Sequence, residues 1–90
     1  MRTLDPQRAL KDVGRRIAEL RRERGWTQEV FAARLGIQPN SLQRIETGRQ
    51  NVTVHTLVRF GNGLGVPLAA LFETPSDRTV RTGRPRSERA

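Results

Sequence analysis

Two helical segments in the middle of the chain are separated by so few residues that they must pack against each other. The first is predicted to begin at Thr27, a favourable N-cap, and to run to Leu35, where Gly36 ends it. The second follows almost at once, after Ile37, and Pro39 is tolerated because it lies in the first helical turn. A turn of three to four residues between two helices is the spacing of a helix-turn-helix unit.

Helical patterns also precede and follow this pair. Asp5 and Pro6 are placed to start a first helix, which Gly25 ends, and its apolar residues recur on one face: Leu10, Val13, Ile17 and Leu20. We expect Gly14 to weaken or interrupt this helix. After the third helix ends at Gly48, a fourth is predicted from the N-cap Thr53 to Leu64, and a short fifth from Pro67 to Phe72. No strand pattern is present, so the predicted fold class is all-α.

The apolar residues of these segments predict which side chains are buried. In the second helix we expect them to be Val30, Phe31, Ala33 and Leu35, and in the fourth Val54, Leu57, Val58 and Leu64. Gly61 and Gly63 fall inside the fourth helix, where each costs about 1 kcal/mol relative to alanine unless close helix packing offsets it. Trp26 is expected to pack between the first two helices.

Composition limits the possible functions. Ninety residues make one domain, with little material for an enzyme pocket in addition to a core. The formal net charge is +8, from 17 Lys plus Arg against 9 Asp plus Glu, and Lys11 is the only lysine. Arginine suits bidentate contact with phosphate and guanine, although acidic membranes and acidic proteins attract the same charge. No nucleophile and base, carboxylate pair or phosphate-binding glycine loop is evident, so we do not expect an enzyme.

Features that the sequence lacks limit the possible ligands and binding partners. The chain has no cysteine, and His55 is its only histidine, so we expect no disulfide, no metal and no cofactor. No apolar run approaches the about 20 residues that span a bilayer, and the N-terminus lacks the apolar region of a signal peptide. The expected location is therefore cytoplasmic, with no membrane partner.

The chain divides into three predicted parts. Residues 1–12 form an N-terminal extension that is partly helical, and residues 13–73 form the helix-turn-helix domain. Residues 74–90 are rich in Thr, Pro, Ser, Gly and Arg, with Val80 as the only large apolar side chain, which predicts a disordered basic tail. Within it, the stretch Arg81–Arg86 resembles a minor-groove AT-hook, but a plain electrostatic arm is the stronger interpretation.

The third helix, from Gln38 to Thr47, is the candidate recognition helix. At about 100° per residue, Leu42 and Ile45 point inward, and the opposite side is polar without a carboxylate: Asn40, Gln43, Arg44 and Thr47. Asn and Gln can form two hydrogen bonds with adenine, and Arg can do so with guanine. An ordinary solvated helix surface is the alternative, and the short turn and the basic charge count against it.

Together these residues resemble a known family. The ordered motifs are Val13-Gly14-Arg15-Arg16-Ile17, Gly25-Trp26-Thr27-Gln28-Glu29, Ala32-Ala33-Arg34-Leu35-Gly36-Ile37 and Ser41-Leu42-Gln43-Arg44-Ile45-Glu46-Thr47-Gly48. They are similar to those of the Cro/XRE family of phage-repressor-like regulators, over about residues 13 to 72. Val30 departs from the pattern, because the family usually has an acid there, and so do Gly61 and Gly63, which replace alanines.

The resemblance implies a fold and a set of roles. The fold would be a compact five-helix bundle of the lambda-repressor-like type, with Arg21 and Glu46 forming a structural salt bridge. Gln28 would bind a phosphate. The DNA-facing positions would be Gln38, Pro39, Asn40, Gln43 and Arg44, and we add Thr47 and Arg49. For Arg49 and Asn51, phosphate contact and simple solvation are equally compatible with the sequence, whereas Arg15, Arg16 and Arg22 are expected to form a solvated helix face.

Two functions remain in competition. The leading prediction is a sequence-specific regulator of double-stranded DNA, acting as a homodimeric repressor or autoregulator, because one helix reads too few base pairs alone. The alternative is an antitoxin or adapter whose main role is to bind a protein partner, such as a toxin or a polymerase. If the protein dimerises as the family does, the candidate surface is the end of the fourth helix with residues Pro67 to Phe72.

Overall fold

The computed structural model describes residues 3–76, which form four α-helices and one 3₁₀ helix without strands. The α-helices are α1 (Pro6–Glu23), α2 (Gln28–Leu35), α3 (Pro39–Glu46) and α4 (Val54–Leu64), and the 3₁₀ helix covers Leu68–Phe72. The predicted all-α class is confirmed. The predicted tail beyond Ser76, including the stretch Arg81–Arg86, lies outside the described residues.

The predicted short fifth helix is present as a 3₁₀ helix and not as an α-helix, so the predicted five-helix bundle is corrected. Leu68–Phe72 is a 3₁₀ helix of five residues, in which the Ala70 N–H bonds to the Pro67 carbonyl three residues back, at 2.9 Å. Glu73 is already extended, so too few residues remain helical to form a series of α-helical hydrogen bonds, which join each N–H to the carbonyl four residues back. The bundle therefore has four α-helices closed by a tight terminal turn.

Local signals start and end the helices as predicted. The N-cap side chains each accept a backbone N–H: Asp5 from Gln7 at 3.3 Å, Thr27 from Val30 at 3.1 Å and Thr53 from Thr56 at 3.0 Å. Gly36 and Gly65 follow α2 and α4 with φ of 74°, a left-handed conformation that favours glycine. These caps explain why the helix boundaries can be predicted from the sequence.

The core draws on every helix, but two predicted burial patterns are wrong in part. The largest fully buried side chains are Phe31, Phe60, Ile17, Leu42 and Leu71. In α4 the buried face is Leu57, Phe60, Gly61 and Leu64, at the helical spacing i, i+3, i+4 and i+7. Val58 lies off this face and Val54 lies in the solvated first turn, so they are 41% and 64% exposed. In α2, Val30 and Ala33 are exposed and Ala32 is buried instead.

Gly14 does not interrupt α1, which runs unbroken past it. Gly14 is buried against the end of α3, and a Cβ atom there would clash with the Ile45 carbonyl oxygen and come within 2.5 Å of that of Glu46. A Cβ at Gly61 would lie 3.0 Å from the Val66 carbonyl oxygen. The absence of a side chain therefore permits close backbone contacts, with α3 at Gly14 and with the turn after α4 at Gly61, which offset the low helix propensity of glycine.

Arg16 anchors the C-terminal segment and does not belong to a solvated face. Its Nε donates to the Ala70 carbonyl at 3.0 Å, and its Nη2 lies 2.8 Å from a carboxylate oxygen of Glu73. The Ser76 N–H donates to Glu19 at 2.6 Å, so the chain continues along α1 after the 3₁₀ helix. Arg22 is exposed as predicted. The expectation of a solvated Arg16 is wrong because its partners Ala70 and Glu73 are more than 50 residues away in the sequence.

Trp26 lies at the corner between α1 and α2. Its ring stacks on Phe31 with centroids 5.6 Å apart, and the Arg34 guanidinium lies 4.2 Å from the centre of the Trp26 ring. The ring therefore packs on α2, and the Trp26 carbonyl accepts from Arg21 of α1 at 2.8 Å.

Candidate nucleic-acid interface

The turn between α2 and α3 holds the two helices in a defined arrangement. Three residues, 36–38, separate the helices. The Ile37 N–H donates to the Ala32 carbonyl at 3.0 Å and the Gly36 N–H to that of Ala33 at 3.2 Å, which satisfies the end of α2. Leu42 and Ile45 then anchor α3 in the core. The orientation of α3 is therefore set by buried contacts along its inner side.

The outer side of α3 carries the polar face that the sequence predicts. All six predicted residues of this segment are exposed: Gln38, Pro39, Asn40, Gln43, Arg44 and Thr47. The only carboxylate of α3, on Glu46, is 6% exposed and lies on the inner side. The exposed face thus combines amide donors and acceptors with one cation and has no negative charge of its own, which suits contact with a polyanion.

Glu46 is held inside by Arg21. The Arg21 Nε and Nη2 atoms lie 2.7 and 3.0 Å from the two carboxylate oxygens of Glu46, a bidentate pair between α1 and α3. The Arg21 Nη1 donates to the Trp26 carbonyl at 2.8 Å. The salt bridge implied by the family resemblance is present, and because it is buried, its two charges are not available for contact with a ligand.

Gln28 is joined to the same network. Its Nε2 donates to Glu46 at 2.9 Å, and the side chain is partly buried at the first turn of α2. One carboxylate therefore connects α1, α2 and α3, and it fixes the orientation of the Gln28 amide. The predicted contact of Gln28 with phosphate would use the second hydrogen of Nε2, because the amide oxygen can only accept.

Arg44 and Thr47 have partners within the protein. The Arg44 Nε donates to the Gln50 side chain at 3.1 Å, which leaves both Nη groups outside this bond. The Thr47 hydroxyl donates to the Gln43 carbonyl at 2.9 Å, so its oxygen keeps acceptor capacity. The sequence did not single out Gln50, because it follows the glycine turn and has no helical spacing to Arg44.

The loop after α3 is bound by the start of α1. The Gln7 Nε2 donates to the Gly48 carbonyl at 2.7 Å, and Gly48 is buried against Lys11. Arg49 is exposed, and its N–H donates to the Arg44 carbonyl at 2.8 Å. The predicted site residues thus form one surface along α3 and its loop, with Gln28 beside it. Sequence reasoning missed the contacts of Gln7 and Lys11 with this loop. The only feature that could have indicated them is the long first helical pattern, which extends to these residues.

Residues 3–76 contain neither a metal-binding cluster nor a membrane-spanning helix. No group of three or more His, Cys, Asp or Glu side chains is arranged to hold a metal ion in this range. None of the helices there is long and apolar enough to cross a membrane.

The sequence profile of the helix-turn-helix domain family matches residues 12–73, well over half of the 90 residues. This chain belongs to that family. The helix-turn-helix protein is 46% identical over 69 residues to an uncharacterized HTH-type transcriptional regulator, y4dJ, of Sinorhizobium fredii, a match that covers 77% of this chain and 88% of the relative.

Two restriction-modification or control proteins are also similar. Control protein C.MunI of a Mycoplasma species is 35% identical over 60 residues, which covers 66% of the helix-turn-helix protein and 81% of C.MunI. The crystal structure of the restriction-modification controller protein C.AhdI of Aeromonas hydrophila superposes with a TM-score of 0.67 at 28% identity, over 70% of this chain and 96% of that one. The predicted Cro/XRE-type helix-turn-helix transcriptional regulator is thereby confirmed.

Proposed function

We propose that this helix-turn-helix protein binds a specific duplex DNA sequence through the major groove, as a homodimer, and represses or autoregulates a promoter. The observation that carries the proposal is the exposed face of α3, which is free of carboxylates because Glu46 is turned inward and paired with Arg21. An α-helix fits the major groove, where base edges present a distinct pattern for each base pair.

The proposed roles follow from side-chain chemistry. Asn40 and Gln43 would read adenine through two hydrogen bonds each, and the Nη groups of Arg44 would read guanine. Gln38 and Pro39 would enter the groove first, at the N-terminal end of the helix. Gln28 and Arg49 would contact the phosphate backbone and set the position of the helix, without reading sequence. The Thr47 oxygen, whose hydrogen is donated to the Gln43 carbonyl, would accept from a base amino group.

The homodimer is proposed for two reasons. A single recognition helix contacts too few base pairs for genomic specificity, and a dimer reads two half-sites. The C-terminal end of the fold also leaves apolar side chains uncovered, since Phe72 is 57% exposed. We retain residues 13–73 as the proposed DNA-binding domain. A protein with this role acts in the compartment that contains the DNA. In bacteria, from which the similar proteins come, that compartment is the cytoplasm, which is the proposed location.

The decisive test compares two duplexes in a fluorescence anisotropy titration at physiological salt. One duplex carries the sequence upstream of the protein's own coding region, and the other is a scrambled sequence of the same composition. We expect preference for the upstream duplex, and we expect Gln43→Ala to reduce that preference by about tenfold, since a bidentate base contact provides about 1–3 kcal/mol of discrimination.

The control is Glu23→Ala, which removes an exposed side chain from the end of α1 instead of α3. This variant should keep the wild-type preference. Equal binding of the wild-type protein to both duplexes, lost as salt rises and unaffected by Gln43→Ala, would contradict the proposal and direct the search to the antitoxin or adapter function with a protein partner.

A further inference from the structure

The start of α1, residues 6–11, contacts the glycine that follows α3, although it precedes the residues that match the family profile. That match begins at residue 12, whereas α1 begins at Pro6. The Gln7 side chain donates to the Gly48 carbonyl at 2.7 Å. A Cβ placed on Gly48 would lie 2.7 Å from the Lys11 Cγ and 2.9 Å from its Cα, so Lys11 packs directly against this glycine.

Gly48 connects two residues of the proposed DNA surface. It follows Thr47, at the end of α3, and precedes Arg49, and both neighbours are exposed. The position of Gly48 therefore determines where these two side chains lie. Lys11 packs against Gly48, and Gln7 donates a hydrogen bond to the Gly48 carbonyl. The first residues of α1, Pro6–Lys11, therefore hold the loop in position on the side away from the exposed face of α3.

Lys11 also places a second cation beside this loop. The residue is exposed, and none of the ion pairs found between residues 3 and 76 includes it. Its ammonium is carried on a flexible four-carbon stem with three donors. DNA that lies across the exposed face of α3 brings a phosphate backbone past the Thr47–Arg49 loop, and a solvated lysine there meets it at little desolvation cost.

We propose that the α1 extension, Pro6–Lys11, is an additional DNA-backbone contact in which Lys11 binds a phosphate beside Arg49 and Gln7 is a positioning residue for the loop. The inference rests on the proposed function, because it requires DNA on the exposed face of α3. A phosphate contact carries no sequence information. Lys11 therefore sets affinity and salt dependence, and it leaves base preference unchanged.

The test is the salt dependence of binding by the full chain carrying Lys11→Gln. Anisotropy titrations with the upstream and scrambled duplexes are run from 50 to 200 mM salt. Loss of one phosphate contact makes the slope of log affinity against log salt less steep by about 0.9. The affinity of the wild-type protein relative to Lys11→Gln therefore falls about threefold from 50 to 200 mM salt. We expect this change with both duplexes and an unchanged melting temperature.

Arg34→Gln is the matched control. It removes the same charge from an exposed residue at the opposite end of α2 from Gln28, and it should leave the slope at the wild-type value. A wild-type slope in Lys11→Gln, or an equal reduction in both variants, overturns the contact. Wild-type protein that binds both duplexes equally contradicts the proposed function instead, so the two failures are distinguishable.

Gln7→Ala tests the positioning role separately. We expect weaker binding to the upstream duplex with an unchanged salt slope, because no phosphate contact is lost. Wild-type affinity in Gln7→Ala would overturn the positioning role.

Discussion

At the scale of single residues, the Arg21–Glu46 pair has two consequences. It ties α1 to α3, with side chains only 9% and 4% exposed, and it removes the one carboxylate of α3 from the surface that would face DNA. Glu46 also receives the Gln28 amide. A change at Glu46 is therefore expected to affect both the stability of the bundle and the position of the proposed phosphate-contacting glutamine.

We predict that Glu46→Ala lowers the free energy of unfolding by about 3–5 kcal/mol, because it leaves the Arg21 charge buried and unpaired. This is a large part of the stability of a small domain. The double variant Arg21→Met/Glu46→Leu should lose much less, because neither charge remains. Urea denaturation followed by Trp26 fluorescence measures both.

The control for this prediction is Glu23→Ala, which removes the partner of Arg24 in a pair that is 3.8 Å apart with the carboxylate 63% exposed. It should cost less than about 1 kcal/mol. If the double variant is as unstable as Glu46→Ala, the loss comes from packing and not from an unpaired charge.

At the scale of helices, the crossing of α1 and α3 depends on Gly14. The nearest atoms to a Cβ at this position belong to the backbone of Ile45 and Glu46. A backbone neighbour cannot move aside as a flexible side chain does, so the two helices would have to separate. Since Gly14 precedes Arg21 by two turns on the same side of α1, such a separation would also strain the Arg21–Glu46 pair.

We predict that Gly14→Ala lowers the free energy of unfolding by about 1–3 kcal/mol, even though alanine is the better helix former. Gly63→Ala is the matched comparison, because a Cβ there would meet only the Leu35 and Phe31 side chains, at 3.1 and 3.5 Å. It should stay within about 1 kcal/mol of the wild-type protein in urea denaturation. Equal stabilities of the two variants would show that the α1–α3 contact is looser than described.

At the scale of the whole molecule, the charge and the apolar surface have separate roles. The net charge of +8 favours encounter with any polyanion, whereas the specificity proposed here needs two recognition helices. The proposed dimer surface is the C-terminal end of the fold. There the 3₁₀ helix buries Leu71 and leaves Phe72 largely in solvent.

We predict that Phe72→Glu converts the proposed dimer to a monomer and weakens binding to a two-half-site duplex, because a carboxylate at a paired apolar surface would be buried without a partner. Sedimentation velocity over a concentration series measures the change. Val30→Glu, an exposed apolar position on α2, should leave the oligomeric state unchanged. A wild-type protein that is monomeric throughout and yet binds with full preference would contradict the dimer.

The sequence by itself determined the four α-helices, the turn and the residues on the exposed face of α3. These follow from local signals, namely the caps Asp5, Thr27 and Thr53, the glycine stop at Gly36, and the helical period of apolar residues. Such signals act over a few residues along the chain, so they can be recognised without knowing how the helices pack.

Only the tertiary structure decided which apolar residues of α2 and α4 are buried and which polar residues support the site. The Gln7–Gly48 bond joins residues 41 apart, and the bonds of Arg16 to Ala70 and Glu73 join residues 54 and 57 apart. These contacts depend on how whole helices cross, and helix crossing is set by close packing at positions such as Gly14. A local sequence pattern does not specify the distance between two helices. The contact of α1 with the Thr47–Arg49 loop therefore could not be predicted and is seen only in the tertiary structure.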